Sequence, residues 1–235
     1  MISIYSIFYY FLLFMIYSIG GWLIEVIAIG IEKRKFINRG FFIGPYCPIY
    51  GFSAVIMILL LDNYKNDPFA LFILAAFVCT FFEYVTSFVM EKLFQARWWD
   101  YSRKTFNING RVCLENSVIF GVFGVLLVCI VNPFVTGLLS EVSHGLIIYI
   151  SSILLIAFVI DNIVSFNIIS KFKTTACSVI KDNTEEISEK TREILRKKSI
   201  LGRRLVNAFP NVKSLLPEIK AKYEEKKRQI KEKIH

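Results

Sequence analysis

"ISIYSIFYYFLLFMIYSIGGWLIEVIAIGI", residues 2–31, carries one charged side chain, Glu25, in thirty positions. A helix crosses about 30 Å of hydrocarbon with roughly 20 apolar residues. This stretch exceeds that length, which leaves room for tilt or protrusion. It lacks the basic start of a secretory leader, and its apolar character continues past any plausible cleavage point. It is therefore expected to be an uncleaved first transmembrane helix.

Four more stretches follow the same pattern: residues 46–61, which is short; 68–90, holding Glu83; 112–131, expected to end at Asn132-Pro133; and 145–170, holding Asp161. The 235-residue chain is 55% hydrophobic and 20% charged. A soluble helical domain alternates apolar and polar faces, and these uninterrupted runs exclude it. The expected fold class is all-α, a polytopic membrane protein of about five transmembrane helices over residues 1–170. A basic amphipathic cytoplasmic helical tail over 171–235 completes it.

Charge orients the chain. Lys33, Arg34, Lys35 and Arg39 lie between the first two spans, and Lys92, Arg97, Arg103, Lys104 and Arg111 between the third and fourth. The other two loops hold one lysine between them. Basic short loops are retained in the cytoplasm, so the N-terminus is expected outside and the C-terminus inside. Tyr5, Tyr9 and Tyr10 then fall in the outer interfacial belt. From Lys171 onward there are 18 Lys/Arg against 9 Asp/Glu, so the tail accounts for the whole net charge of +9. That excess suits the anionic inner leaflet, and membrane tethering argues against nucleic acid as its partner. In the tail, Ile187, Ile194 and Leu201 recur every seven residues up to Pro210, and Ile219, Tyr223, Ile230 and Ile234 share a face. A solvated helix, a helix lying on the leaflet and a short coiled coil all fit this pattern.

The two basic loops resemble each other. Glu25 is followed by Glu32-Lys33, "NRG" at 38–40 and "GPYC" at 44–47; Glu83 is followed by Glu91-Lys92, "NGR" at 109–111 and "GRVC" at 110–113. The offsets are 58 at the glutamates and 66 at the cysteines. Both hairpins run in the same sense, so the expected repeat is parallel. In the first copy, Asn38, Gly44, Pro45, Cys47 and Pro48 shape the re-entry into a short second helix. Pro45 is expected at its first turn, where a missing N–H is harmless. Cys113 occupies the matching mouth in the second copy.

Ionised side chains at a helix centre cost roughly 2.5–3.5 kcal/mol, so they face partners or cavities. Glu25, Glu83, Glu115 and Asp161 all fall in the cytoplasmic half of this topology, Asp161 about 15 Å before Lys171. Two readings stand: an inward-opening polar cavity with Arg39, Arg97 and Arg111 at its mouth, or interhelical bonds that fix the bundle. Glu115, one turn from Arg111, reads as an ordinary pair with it. In "RWWDYS", Trp98 and Trp99 fit an interfacial belt, or a flap over the cavity with Asp100 orienting a ligand. Asn109 joins the candidate ligand-binding set.

Five cysteines without CxxC and two distant histidines give no disulfide framework and no metal site. No P-loop, HExxH or GxSxG occurs, and no histidine neighbours Cys47 or Cys113 to activate a thiol. No catalytic residue and no cofactor is assigned, and the chain reads as a non-enzyme.

Gly21-Trp22 with Glu25, "NRGFFIGPYCPIYG", "EYVTSF", "EKLF", "RWWDYS" and "NINGRVCLE" together resemble the bacterial membrane family described as putative ABC-transporter type IV, or CmpB-like permease. The resemblance runs from about residue 15 to about residue 130. It implies a multi-pass permease subunit served by a separate ATPase. The expected function is transport, with a small-molecule or ion site in the cytoplasmic half of the bundle and self-association into a homo-oligomer left open. A non-transporting sensor or scaffold whose tail recruits a partner is the alternative, followed by a protein that binds or acts on lipid headgroups.

Overall fold

The computed structural model describes residues 3–34, 42–94, 96–97, 99–179 and 213–214. Asn38, Arg39, Trp98 and most of the 171–235 tail lie outside the described residues. Helix α1 spans Ile4–Lys33, α2 Pro48–Leu61, α3 Pro68–Phe94, α4 Leu114–Leu126, α5 Asn132–Ser140 and α6 His144–Val179. Among the described residues, four continuous helical stretches are long and apolar enough to cross a membrane: Ile4–Ile31, Pro68–Leu93, Leu114–Ser140 and His144–Asn167. The fifth expected span, α2, is a shorter apolar helix of 14 residues. The protein is a multi-pass helical membrane protein.

Local chemistry sets the helix ends. Ser3 caps α1 by accepting from the Ser6 N–H at 3.1 Å. Asp67 does the same for α3, taking the Ala70 N–H at 3.0 Å just ahead of Pro68. Pro48, rather than the expected Pro45, opens α2, with Cys47 as the capping residue. Pro45 sits in the preceding bend because the Cys47 N–H is committed to Ser18 O at 2.9 Å, which fixes the entry point three residues later.

Asn132-Pro133 does not end the fourth span. A π-helical turn over Leu127–Val131 precedes it, and the Asn132 N–H reaches back to Leu127 O. Proline removes a donor and crowds the carbonyl four residues earlier. Widening the preceding turn accommodates both effects, so the helix continues as α5 to Ser140. Asn132 is buried there, and its Oδ1 accepts from Tyr17 OH at 2.8 Å.

The chain divides into two compact units, Met1–Thr86 with Asp100–Ser165, and Ser87–Trp99 with Phe166–His235. In the first unit α1 is more enclosed than α6: 44% of an 18-residue apolar window of α1 is buried, against 11% for α6. Leu13, Tyr17 and Ala54 form one core cluster; Phe14, Met15 and Tyr46 form another, with Phe158 against it; Met57, Leu61, Leu71, Ala75 and Val128 form a third. Outward faces carry Ile153, Ile156, Ile160 and Ile163 on α6 and Phe77 and Phe81 on α3, as lipid contact requires. The first unit also holds a hairpin the sequence reading did not anticipate. Strands β2 (Asn107–Ile108) and β3 (Val112–Cys113) pair antiparallel through Asn109 and Gly110, both at positive φ (54° and 66°). In the second unit, β1 (Ala96–Arg97) pairs antiparallel with β4 (Lys213–Ser214).

Helices α1 and α2 approach through small residues, since lipid offers no hydrophobic drive between helices. A Cβ on Gly51 would stand 2.2 Å from Ser18 Oγ and 2.4 Å from the Phe14 carbonyl oxygen. The backbone atom cannot swing aside. Gly51→Ala is expected to cost about 1–3 kcal/mol and lower the unfolding temperature in detergent. Gly137→Ala, with nothing within 4 Å of the new Cβ, is the control and should hold or raise it.

Candidate functional site

Two polar clusters interrupt the apolar interior of the first unit. The first gathers around Asp161 on α6. Its Oδ1 accepts from the Ile43 N–H at 3.1 Å and Ser165 Oγ at 3.0 Å; its Oδ2 accepts from the Gly44 N–H at 2.9 Å and from Tyr46 OH. The Ile43 N–H is shared with Ser165 Oγ at 3.3 Å. Asp161 therefore fastens the bend before α2 to α6. Gly44 is required at this approach, because a Cβ there would lie 2.3 Å from the Tyr46 ring and 3.0 Å from Asp161 Oδ2. The donors are loop amides and hydroxyls that an apolar interior would otherwise leave unsatisfied, and they repay the desolvation of the carboxylate.

Glu25 lies beside the same loop's continuation. The Tyr50 ring packs on Gly21, where any Cβ would meet it at 2.3 Å, and its hydroxyl donates to Glu25 Oε1 at 2.7 Å. Gly21 and Glu25 stand one turn apart on α1, which is why the ring and its hydroxyl meet both. The sequence string "GWLIE" is thus a seat and a hook for Tyr50.

The second cluster surrounds Glu83 on α3. Tyr101 OH donates to Glu83 Oε1 at 3.2 Å, and Thr80 donates to Ser117 on α4 at 2.7 Å. Asn116 is close enough to interact with both Tyr101 and Glu83, though no well-aligned hydrogen bond reaches Glu83 Oε2. The loop after α3 is shaped by turns: the Asp100 carboxylate takes the Ser102 N–H at 3.0 Å, and the Tyr101 N–H meets Gly110 O at 2.8 Å. Burial, and then the charge of Glu83, push the Tyr101 phenol above the ordinary tyrosine range. Asn109 donates to Tyr84 OH at 3.0 Å, and the buried Arg111 guanidinium lies over the Tyr84 ring at 5.7 Å.

Glu115 differs from the expectation. Its ion pair is with Lys104 Nζ at 2.7 Å, on an exposed surface, because the β2–β3 hairpin carries Lys104 to the start of α4. That hydrogen bond pushes the lysine upward from its ordinary value. Glu115 also sits in the first turn of α4, where a negative charge favours the helix dipole. Trp99 is half-buried and belongs to the second unit. Of the turn residues, Cys47 and Cys113 cap α2 and α4 in matching extended conformations. The hairpins match further: Gly51, four residues after Cys47, meets Ser18, and Ser117, four after Cys113, meets Thr80. Sequence reasoning missed Tyr46, Tyr50 and Tyr101, the phenols that partner all three deep carboxylates. Their signal was a tyrosine within reach of each turn.

Asp161→Asn keeps one acceptor but turns an amide toward the loop N–H groups. Charge-assisted hydrogen bonds contribute about 1.5–3 kcal/mol, so amide exchange at Ile43 and Gly44 should accelerate by roughly tenfold or more. Unchanged protection of both amides would remove the fastening role.

No curated protein and no solved structure matches the chain. The family described as putative ABC-transporter type IV matches residues 12–166. That range takes in both clusters and, unlike the sequence resemblance, reaches Asp161 on α6. By family and by its spans the protein is a transport-related membrane protein. The chain belongs to the putative ABC-transporter type IV family.

Proposed function

We propose that the protein is a permease-like transporter of the bacterial plasma membrane, with a small-molecule or ion site in the cytoplasmic half of its helices. One observation carries this reading: Glu25 and Glu83, at matching places in two hairpins, each meet a tyrosine hydroxyl inside apolar helices. Membranes tolerate such carboxylates where a solute or proton passes. Asp161, fastening the bend ahead of α2, supplies a latch whose release would open that end. In this reading the N-terminus is outside, the C-terminus is cytoplasmic, and the basic tail from Lys171 lies on anionic lipid. A separate ATPase supplies the energy, as the family description suggests. A non-transporting scaffold is the rival.

The test compares intracellular metabolite and ion pools in cells lacking the gene with those restored by the wild type, Glu25→Gln or Glu83→Gln at equal membrane level. Transport predicts a pool difference that the wild type reverses and the variants reverse roughly tenfold less well, equivalent to about 1.4 kcal/mol. Identical pools with and without the gene would sink the reading in favour of the scaffold. Orientation has its own check. Ser3→Cys should react with an impermeant maleimide on intact cells, and Ser102→Cys only after permeabilisation.

A further inference from the structure

Glu83 is 6% exposed, and its Oε2 has no hydrogen-bond partner among the described residues. Its Oε1 accepts from Tyr101 OH at 3.2 Å, long for a bond between oxygens, where about 2.7–2.8 Å is usual. Glu25, by contrast, is half-buried and holds its phenol at 2.7 Å. A buried carboxylate oxygen left open is costly in a medium without water. The ammonium nearest in the loop, Lys104, is drawn to Glu115 at the surface.

Tyr101 and Asn116 are the neutral groups that act on Glu83, the Lys104 charge reaches it more weakly, and a Thr80–Ser117 hydroxyl pair joins α3 to α4 one turn away. Thr80 precedes Glu83 by three residues on α3, which places both on one face. Thr80 Oγ1 donates to Ser117 Oγ at 2.7 Å, and Ser117 Oγ donates to Cys113 O at 3.1 Å. Asn116 and Tyr101 complete the group. All five side chains belong to the first unit, on α3, α4 and the intervening loop. Hydroxyl, amide and carboxylate oxygens are the ligands of hard cations. The charge count selects among them. One carboxylate balances one positive charge, and no group of three metal-ligating acidic, cysteine or histidine side chains occurs among the described residues. A divalent metal would leave a net positive charge buried.

We propose that Glu83 anchors a binding site for a dehydrated alkali-metal cation, with Tyr101, Thr80, Ser117 and Asn116 as the neutral oxygen ligands. The inference rests on the transport reading only in taking the Glu83 cluster as part of the solute path, and it names the class of ion that enters there. The open Oε2 supplies the charge, and small rotations of the Thr80 and Ser117 hydroxyls turn their lone pairs to the ion. The two hydroxyls are already in contact, so the group suits an atomic ion and not an organic ammonium.

The full chain in detergent is unfolded thermally at constant pH and ionic strength in sodium, lithium, potassium or choline chloride. At least one alkali cation should raise the midpoint saturably by about 2–4 °C for each kcal/mol of binding, with choline inert. Glu83→Gln should abolish the rise, and Asp62→Asn, an exposed residue paired with Lys65, should keep it. Should Glu83→Gln fail to fold, Tyr101→Phe takes its place, with the half-saturating concentration raised roughly tenfold. No alkali response in the wild type, or an equal response in Glu83→Gln or Tyr101→Phe, overturns the proposal. Stabilisation by acidification alone would assign Oε2 a proton and overturns it too. Cation stabilisation with unchanged cellular pools upholds the site while removing the transport reading; altered pools with no cation response do the reverse.

Discussion

A carboxylate placed among apolar helices must be answered by donors, and in this protein most of them come from the turns that follow the long helices, with Tyr50 of α2 and Ser165 of α6 supplying the rest. Water is not there to share the task. The bend before α2 offers Asp161 two backbone N–H groups and a phenol; the loop before α4 offers Glu83 a phenol. Each carboxylate thereby decides how a loop lies against the helices. The apolar surfaces then only have to be shaped to allow it.

That requirement explains the small residues. Tyr50 reaches Glu25 because Gly21 leaves a flat seat for its ring, and α2 lies close enough because Gly51 presses on the Phe14 carbonyl. The second hairpin closes by the same means with different residues, Gly121 against Phe72 and Gly124 against Ala75. Glycine loses more entropy on folding than other residues and weakens a helix by about 1 kcal/mol. Its presence at these contacts marks where close approach of backbones outweighs that loss.

The spans were legible because hydrophobic length is a local property of the sequence. So were Glu25, Glu83 and Asp161, since a charge in such a run has few innocent explanations. The partners were not legible. Asp161 and Gly44 are joined across 117 positions, and nothing periodic links them. The Asn132-Pro133 pair misled for a definite reason: proline usually stops a helix, whereas here a π turn relieves it and Tyr17 of another helix holds the buried Asn132. The β2–β3 hairpin was written in Asn109-Gly110, but two-residue strands give no alternation to read.

The two hairpins share a plan and differ in how completely they satisfy it. Each caps its second helix with a cysteine, and each brings a glutamate to a tyrosine. In the first, the tyrosine belongs to the helix itself, so the bond is as rigid as α2. In the second, Tyr101 stands on a loop held by turns, the bond is longer, and one carboxylate oxygen stays open. A purely structural duplication has no reason to keep a buried charge less well satisfied in one copy. The proposed transport reading gives the difference a use, because a fully bonded carboxylate binds nothing further, while an open one held by a loop can change partners at small cost.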